Sequence, residues 1–187
     1  MTQSPSVRSS SPDKAMPPIY ISMLPESPIG PLWVAVSDLG LAVVEWSMSQ
    51  ADFESLIKKR FPMLEIIGDE SHTREAIDQL SEYLAGNRRE FDLLLDLSTM
   101  TRFQLEVLHL TYHIPYGQTS TYKDIAVQVG KPRAARAVGR VEATNPIPLV
   151  IPCHRVLGSD GSLHGYGGPG GIKLKAWLLQ LEGAVLK

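Results

Sequence analysis

Apolar residues recur along this chain first every second position and later every three to four, and the change of spacing marks out its elements. Short β-type runs begin at Ile19. Residues 32–36 and 41–46 are the clearest of them, and Ser37, Asp38 and Gly40 between them predict a hairpin. Ser49 is placed to cap a helix that carries Ala51, Phe53, Leu56 and Ile57 on one side and ends at Phe61 and Pro62. A second helical pattern over 72–84 would bury Ala76, Ile77, Leu80, Tyr83 and Leu84 before Gly86 stops it, and residues 91–97 read as one more strand. Residues 19–97 are therefore expected to form a small α/β unit. Nothing in it gathers a nucleophile, base or ligand, so its plainest role is that of a scaffold.

The spacing then becomes almost wholly helical. Thr101 can cap a helix with Phe103, Val107, Leu108 and Thr111 on one face, which breaks at residues 114–117. Two short helices are predicted next. Residues 121–129 turn Tyr122, Ile125, Ala126 and Val129 inward. Residues 132–143 turn Ala134, Ala137, Val138 and Val141 inward, with Pro132 in the first turn. Gly130 and Lys131 join the pair, which is the spacing of a helix-turn-helix. A last amphipathic helix is expected over 173–181, with Glu182 at its end as an ordinary solvated charge.

Composition narrows the possibilities. The chain has 187 residues, 43% of them hydrophobic, and a formal net charge of -2, which suits an ordinary globular protein of one compact domain or two small ones. Its longest apolar stretches, 41–44 and the proline-interrupted 147–151, fall far short of the roughly 20 residues of a membrane helix. One cysteine excludes an intrachain disulfide, and five scattered histidines offer no zinc-ligand spacing, so no metal is expected. Residues 1–18 are read as a disordered tail. Its Ser-rich part has neither the apolar core of a secretory signal nor the amphipathic Arg pattern of a transit peptide.

Charge is unevenly placed. Between Gln118 and Leu157, Lys123, Lys131, Arg133, Arg136, Arg140 and Arg155 face only Asp124 and Glu142, a local excess of +4. Such a face can neutralise phosphates, although structural helix pairs also carry solvated charge. Around Arg136 the second helix bears Ala134, Ala135, Ala137 and Gly139. Base-edge reading in the major groove calls for long polar side chains at those places. Small residues instead permit close approach, and a lone guanidinium among them suits insertion into a duplex; the plainer alternative is a surface arginine on an alanine-rich helix.

The densest chemistry is Ile151-Pro152-Cys153-His154-Arg155-Val156. Residues 145–150, with two prolines, predict an extended strand that delivers the thiol. A free thiol is only about 3% ionised at pH 7, so a nucleophilic Cys153 needs a partner, and His154 is next in sequence. Neighbours on an extended chain point to opposite sides, which leaves a relay through water as reasonable as direct contact. The competing reading is a buried structural cysteine. Seven glycines in residues 158–171 surround His164 and Tyr166; Gly165, Gly167 and Gly170 fit G-x-G-x-x-G, but no strand leads in and no β-α-β unit follows, so a dinucleotide site is rejected.

Pro152-Cys153-His154-Arg155-Val156, together with Arg136-Ala137-Val138-Gly139 before it and Gly165-Tyr166-Gly167-Gly168, Leu178-Leu179 and Glu182-Gly183 after it, resembles the O6-alkylguanine-DNA alkyltransferase family. The resemblance is continuous from about Thr101 to Gly183 and loose before it. It implies an α+β fold in which a ribonuclease-H-like α/β lobe (19–97) precedes a mainly helical lobe (98–187) with a winged-helix-like helix-turn-helix. It also implies a suicide methylated-DNA–protein-cysteine methyltransferase, which takes an alkyl group from O6-alkylguanine, with O4-alkylthymine a second candidate, and keeps it. Cys153 matches the acceptor, His154 its water-mediated base, Glu182 the carboxylate orienting that base, Asn145 the residue holding the adjacent turn, and Tyr122 a donor that helps to rotate the phosphate. Arg136 matches the finger that replaces the flipped nucleotide, on a DNA-facing surface of Ala134, Ala135, Ala137 and Gly139. Tyr166, Val156, Gly167 and Lys175 match the pocket, with the carbonyls of Cys153 and Val156 as acceptors for the guanine amine. The implied partner is double-stranded DNA containing alkylated guanine, with no membrane, no cofactor and a monomeric chain in the cytoplasm, or the nucleus of a eukaryote. The segment between Tyr166 and Lys175 is two residues longer than the family pattern, with the extra length at Pro169-Gly170-Gly171. Three other readings are a helix-turn-helix regulator, a lesion binder without chemistry, and a thiol hydrolase; the bare second helix weighs against the first, the presence of Cys153 against the second, and the lack of an oxyanion motif against the third.

Overall fold

The computed structural model describes residues 16–164, 166 and 170–184. Thus 1–15 of the expected tail lie outside the described residues, as do Gly165, Gly167 and Gly168. Strand β1 (Pro18–Leu24) pairs antiparallel with β2 (Leu32–Ser37), which pairs antiparallel with β3 (Gly40–Trp46) across the expected hairpin. Helix α1 (Gln50–Arg60) is capped by Ser49, whose hydroxyl accepts from the Asp52 amide. A short strand β4 (Glu65–Gly68) follows and lies parallel to β1, giving the order β3-β2-β1-β4. The hydrophobic pattern does not reveal β4, because it is an edge strand of four residues with only one half-buried side chain. Helix α2 (Glu70–Leu84) starts two residues before the expected point, since Asp69 takes the cap by accepting from the Ser71 amide.

Residues 91–97 are not the expected strand. They make one isolated bridge, Leu95 with Leu41, held by Leu41 N–H donating to Leu94 O and Asp96 N–H to Leu41 O, both at 2.8 Å. The ladder cannot extend because the outer edge of β3 is divided between two segments: further along it, Val44 N–H donates to Pro146 O at 2.9 Å. Both loops cover an edge that would otherwise be open. Gly40 makes the first docking possible. Its φ is +128°, and a Cβ there would lie 2.3 Å from Leu94 O.

The second half is helical. Helix α3 (Arg102–Tyr112) opens with a capping box, Thr101 accepting from the Gln104 amide and the Gln104 side chain accepting from the Thr101 amide. Strand β5 (Ser120–Thr121) leads into α4 (Tyr122–Gln128) and lies parallel to β6 (Val156–Leu157). Helix α5 (Ala135–Ala143) starts three residues later than expected. Lys131 O accepts from Ala134 N–H at 2.8 Å, so Pro132 sits in a tight turn before the helix and Ala134 becomes its cap. Helix α6 (Gly171–Leu181) closes the described chain. The fold is α+β, and one apolar cluster joins Leu32, Val44, Leu80 and Tyr83 of the first half to Leu108, Ile125, Val138 and Leu178 of the second. No helix among the described residues is long and apolar enough to cross a membrane.

Candidate active site

The site is assembled where α5, the turn after it, α6 and α2 meet. Asn145 closes the turn after α5: its Nδ2 donates to Ile151 O at 2.8 Å and its Oδ1 accepts from Ile147 N–H at 3.0 Å. The tight path forces buried Leu149 to φ +74°, a left-handed conformation that costs a side-chain-bearing residue roughly 1 kcal/mol or more. The expected extended strand into the cysteine is therefore a folded turn. Proline restricts the chain without making it straight. Cys153, His154 and Arg155 themselves form one turn of 3-10 helix, which aims neighbouring side chains in different directions.

Cys153 is 5% exposed and lines a cavity of about 60 Å³ with Glu45, Trp46, Glu142, Ala143, Asn145, Pro148 and Tyr166. Burial first, and the charge of Glu142 second, push the thiol up to about 12; hydrogen bonding with Asn145, the charge of Lys175 and the Tyr166 hydroxyl pull the other way. At rest the sulfur is thus a protonated thiol. A larger groove of about 600 Å³ lies outside, lined by Tyr122, Ala135, Arg136, Gly139, Ala143, Gly158, Ser159, His164 and Tyr166. Tyr166 and Ala143 line both spaces, and the Tyr166 ring stacks on Trp46 of β3 at 6.3 Å between centroids. The tyrosine is the partition between groove and sulfur.

The residues that follow Cys153 open a buried polar chain. His154 is fully enclosed, and its Nε2 donates to Glu182 Oε1 at 2.8 Å. Burial lowers the imidazole pKa against the opposing pull of Glu182, so the ring is neutral. With the hydrogen on Nε2, Nδ1 carries the lone pair, and no described protein group engages it. Glu182 is not the solvated helix-end charge that its position alone suggests. It also receives Arg155 through Nε (2.9 Å) and Nη2 (2.8 Å), the Tyr83 hydroxyl (2.6 Å) and the Gly117 amide (3.2 Å). Burial pushes this carboxyl up, but the hydrogen bonds from His154 and Arg155 prevail and bring it down to about 2.

Lys175 is wholly buried on α6. Its Nζ donates to Val156 O and, at 3.4 Å, to both Tyr122 Oη and His164 O, which occupies all three hydrogens of an ammonium. The Val156 carbonyl therefore has one of its two lone pairs already engaged. Tyr122 accepts from the lysine and keeps its own hydrogen; burial, with Glu142 and Cys153, raises its hydroxyl to about 12.

The structure thus brings Cys153, Asn145 and Tyr166 to one cavity; Tyr122 lines the outer groove and is tied through Lys175 to Val156, and His154 pairs with Glu182. Gly167 lies outside the described residues. Arg136 is exposed and lines the groove with Ala135 and Gly139, which are half-buried; Ala134 and Ala137 are half-buried too and do not line it. Arg155, counted above with the basic face, is withdrawn into the ion pair with Glu182. Glu142 is buried too, so the exposed face keeps Lys123, Lys131, Arg133, Arg136 and Arg140 against Asp124. Two site residues have no signal in the sequence. Tyr83 reads as an apolar position of α2, yet it supplies a hydroxyl from the half taken for a scaffold. Glu142 reads as a surface charge.

Comparison with known proteins places the chain in a family. Residues 19–97 match the family model of the 6-O-methylguanine DNA methyltransferase ribonuclease-like domain, and residues 102–184 that of the same family's DNA binding domain. A methylated-DNA–protein-cysteine methyltransferase of Methanosarcina barkeri is 44% identical over 158 residues, covering 84% of this chain and 93% of the relative. Its counterpart in Mycobacterium bovis is 43% identical over 157 residues, covering 84% and 88%. The crystal structure of Mycobacterium tuberculosis OGT in complex with DNA superimposes with a TM-score of 0.74 at 40% identity, covering 88% of this chain and 92% of that one. With both family models matched in order and relatives above 40% identity along most of its length, the chain belongs to the 6-O-methylguanine DNA methyltransferase family.

Proposed function

We propose that the protein repairs DNA by direct reversal, moving the alkyl group of O6-alkylguanine in a duplex onto Cys153 once and permanently. The observation that carries this reading is the placement of the sole cysteine, one tyrosine ring behind a groove that opens beside an exposed arginine. The target oxygen lies within the base stack, so the nucleotide must turn out, at a cost of a few kcal/mol that is smaller where alkylation has weakened pairing. Arg136 fills the gap left behind, and the small residues of α5 let the helix come close enough for it to do so. Loss of the alkylated base's water shell in the pocket strengthens the electrostatics there.

In the transfer the thiol proton passes, through water, to the free lone pair of His154 Nδ1, and Glu182 stabilises the imidazolium from the other side. The thiolate attacks the alkyl carbon in line; the S–C bond forms as the C–O bond breaks, and the electron pair leaves on guanine. The Tyr122 hydroxyl is a donor toward that developing charge, and Lys175 reinforces it by donating to the same oxygen. The product is a neutral thioether. No second nucleophile among the described residues is placed to remove it, so each molecule acts once. Residues 19–97 act chiefly as scaffold in this reading, and 98–187 bind DNA and accept the group. One chain supplies every group, which suits a monomer, and a free thiol suits a reducing compartment such as the cytoplasm.

Incubation with duplex DNA containing O6-methylguanine should add one methyl group, in exchange for a hydrogen, to the peptide containing Cys153. A stoichiometric limit of one per chain is expected by intact mass, and continued turnover on the same molecule would rule the reading out. Arg136→Ala should slow reaction with the duplex by at least about tenfold, equivalent to roughly 1.4 kcal/mol of lost support for extrusion, and leave reaction with free O6-methylguanine base nearly unchanged. Equal slowing of both would remove Arg136 from the extrusion step.

A further inference from the structure

Glu142 is an acidic group in the site that the transfer described above leaves unused. It lies in the last turn of α5, buried, and lines the same cavity as Cys153. Its Oε1 is 2.6 Å from the Thr111 hydroxyl on α3, and its Oε2 is buried with no partner among the described residues. A lone buried carboxyl beside a nucleophile that must become an anion is costly in both respects.

Hydrogen accounting shows how the fold accommodates it. The Thr111 hydroxyl has one hydrogen and two acceptors within reach, Val107 O at 3.1 Å and Glu142 Oε1 at 2.6 Å. When the hydrogen points to Val107, the short contact with Glu142 is bonding only if the carboxyl holds a proton and donates it. When Glu142 is ionised, Thr111 turns its hydrogen to the carboxylate, and Val107 O falls back on its helical amide donor. Both protonation states thus find a partner in one geometry. The charged and titratable groups around the carboxyl are Lys175 from α6, Tyr122 from α4, Cys153 from the 3-10 turn, Tyr166 from the loop and Glu45 from β3. Lys175 spends its three hydrogens elsewhere, so it gives Glu142 field but no direct bond. Burial accordingly pushes the carboxyl up to about 7, against the Thr111 hydrogen bond and the Lys175 charge.

We propose that Glu142 is a proton-operated control on Cys153: as a neutral acid it leaves the thiolate unopposed, and as a carboxylate it resists its formation. The residue acts through the sulfur and not on the alkyl group, and its place in repair rests on Cys153 being the acceptor. Alkylation of an ordinary thiol speeds up as pH rises toward the thiol pKa. Here the rise is held back above neutrality, because the site gains an opposing charge while the thiol is still almost wholly protonated.

The test compares wild type with Glu142→Gln, which keeps the shape and can still donate to Thr111 but cannot ionise. Alkylation of Cys153 by iodoacetamide is followed from pH 6 to 9. The variant should react about tenfold faster at pH 8.5, one unit in thiol pKa, and about equally at pH 6. A ratio that does not change with pH overturns the proposal, since a packing role would move both ends together. If the variant does not fold, carboxyl carbon NMR of the wild-type protein decides: a glutamate titrating near neutrality supports the proposal, and glutamates confined to the ordinary range near pH 4 overturn it. A parallel assay with methylated duplex keeps the two readings apart. Loss of transfer in wild type with the iodoacetamide difference intact would refute the repair function and leave the control of the thiol standing.

Discussion

Cys153→Ala is expected to abolish acceptance of the methyl group altogether while binding to duplex DNA persists. The two properties separate because different surfaces supply them. On the proposed function, binding draws on Lys123, Lys131, Arg133, Arg136 and Arg140, all exposed on or between α4 and α5, whereas the sulfur is buried in a cavity walled by Tyr166. The substitution removes a single atom from the wall of a cavity, but it also takes from the buried Tyr166 hydroxyl the thiol it bonds with, so stability should fall by roughly 1–3 kcal/mol. Intact mass after exposure to methylated duplex, beside a gel-shift measurement on the same sample, checks both halves. Mass gain on the alanine variant would show that another residue is the acceptor.

Glu182→Gln should cause the second-largest change, and it should lower stability and reactivity together. The carboxylate receives five donors, two of them from buried Arg155. A glutamine amide has one acceptor oxygen, and whichever way it turns its NH2 group faces an Arg155 N–H, which cannot reverse. Arg155 would keep its charge with no counter-ion, and breaking a buried pair from one side costs about 3–5 kcal/mol. His154 would lose the partner that fixes hydrogen on Nε2 and lone pair on Nδ1, so its neutral ring could turn over or change tautomer. Denaturant unfolding should show the loss of stability, and the rate of Cys153 methylation at pH 7.5 should fall by at least about a hundredfold. A variant as stable as wild type would mean that Arg155 finds another partner. A stable variant with an unchanged rate would remove the carboxylate from the relay.

The comparison between sequence and structure divides along the range of the interactions involved. The caps at Ser49 and Thr101 were legible because a cap is a local event: each side chain accepts from an amide three residues on. The β2–β3 hairpin was legible because its register is set by its own short turn. Strand β4 and the irregular path of residues 91–97 were not, since an edge strand pairs with a partner more than 40 residues away and the path of 91–97 depends on Gly40 leaving space for Leu94. The start of α5 was misplaced because proline tolerates a first helical turn and a tight turn equally well.

For the site itself, the order of Arg136, Cys153, His154, Tyr166 and Glu182 along the chain was enough to suggest an alkyl acceptor, because reactive residue types with a distinctive spacing are rare. Their state of charge was not in that order. Arg155 and Glu142 counted equally with Arg136 in the charge of the segment, yet one became a buried ion pair, one a buried acid and one a free surface cation. Tyr83 carried no sign of its role at all. The sequence alone determined which chemistry this protein can perform. Whether each group is charged, which hydrogen it offers and how the sulfur is reached were decided by the tertiary structure, because burial and the approach of distant side chains fix the cost of a proton, and no local pattern records either.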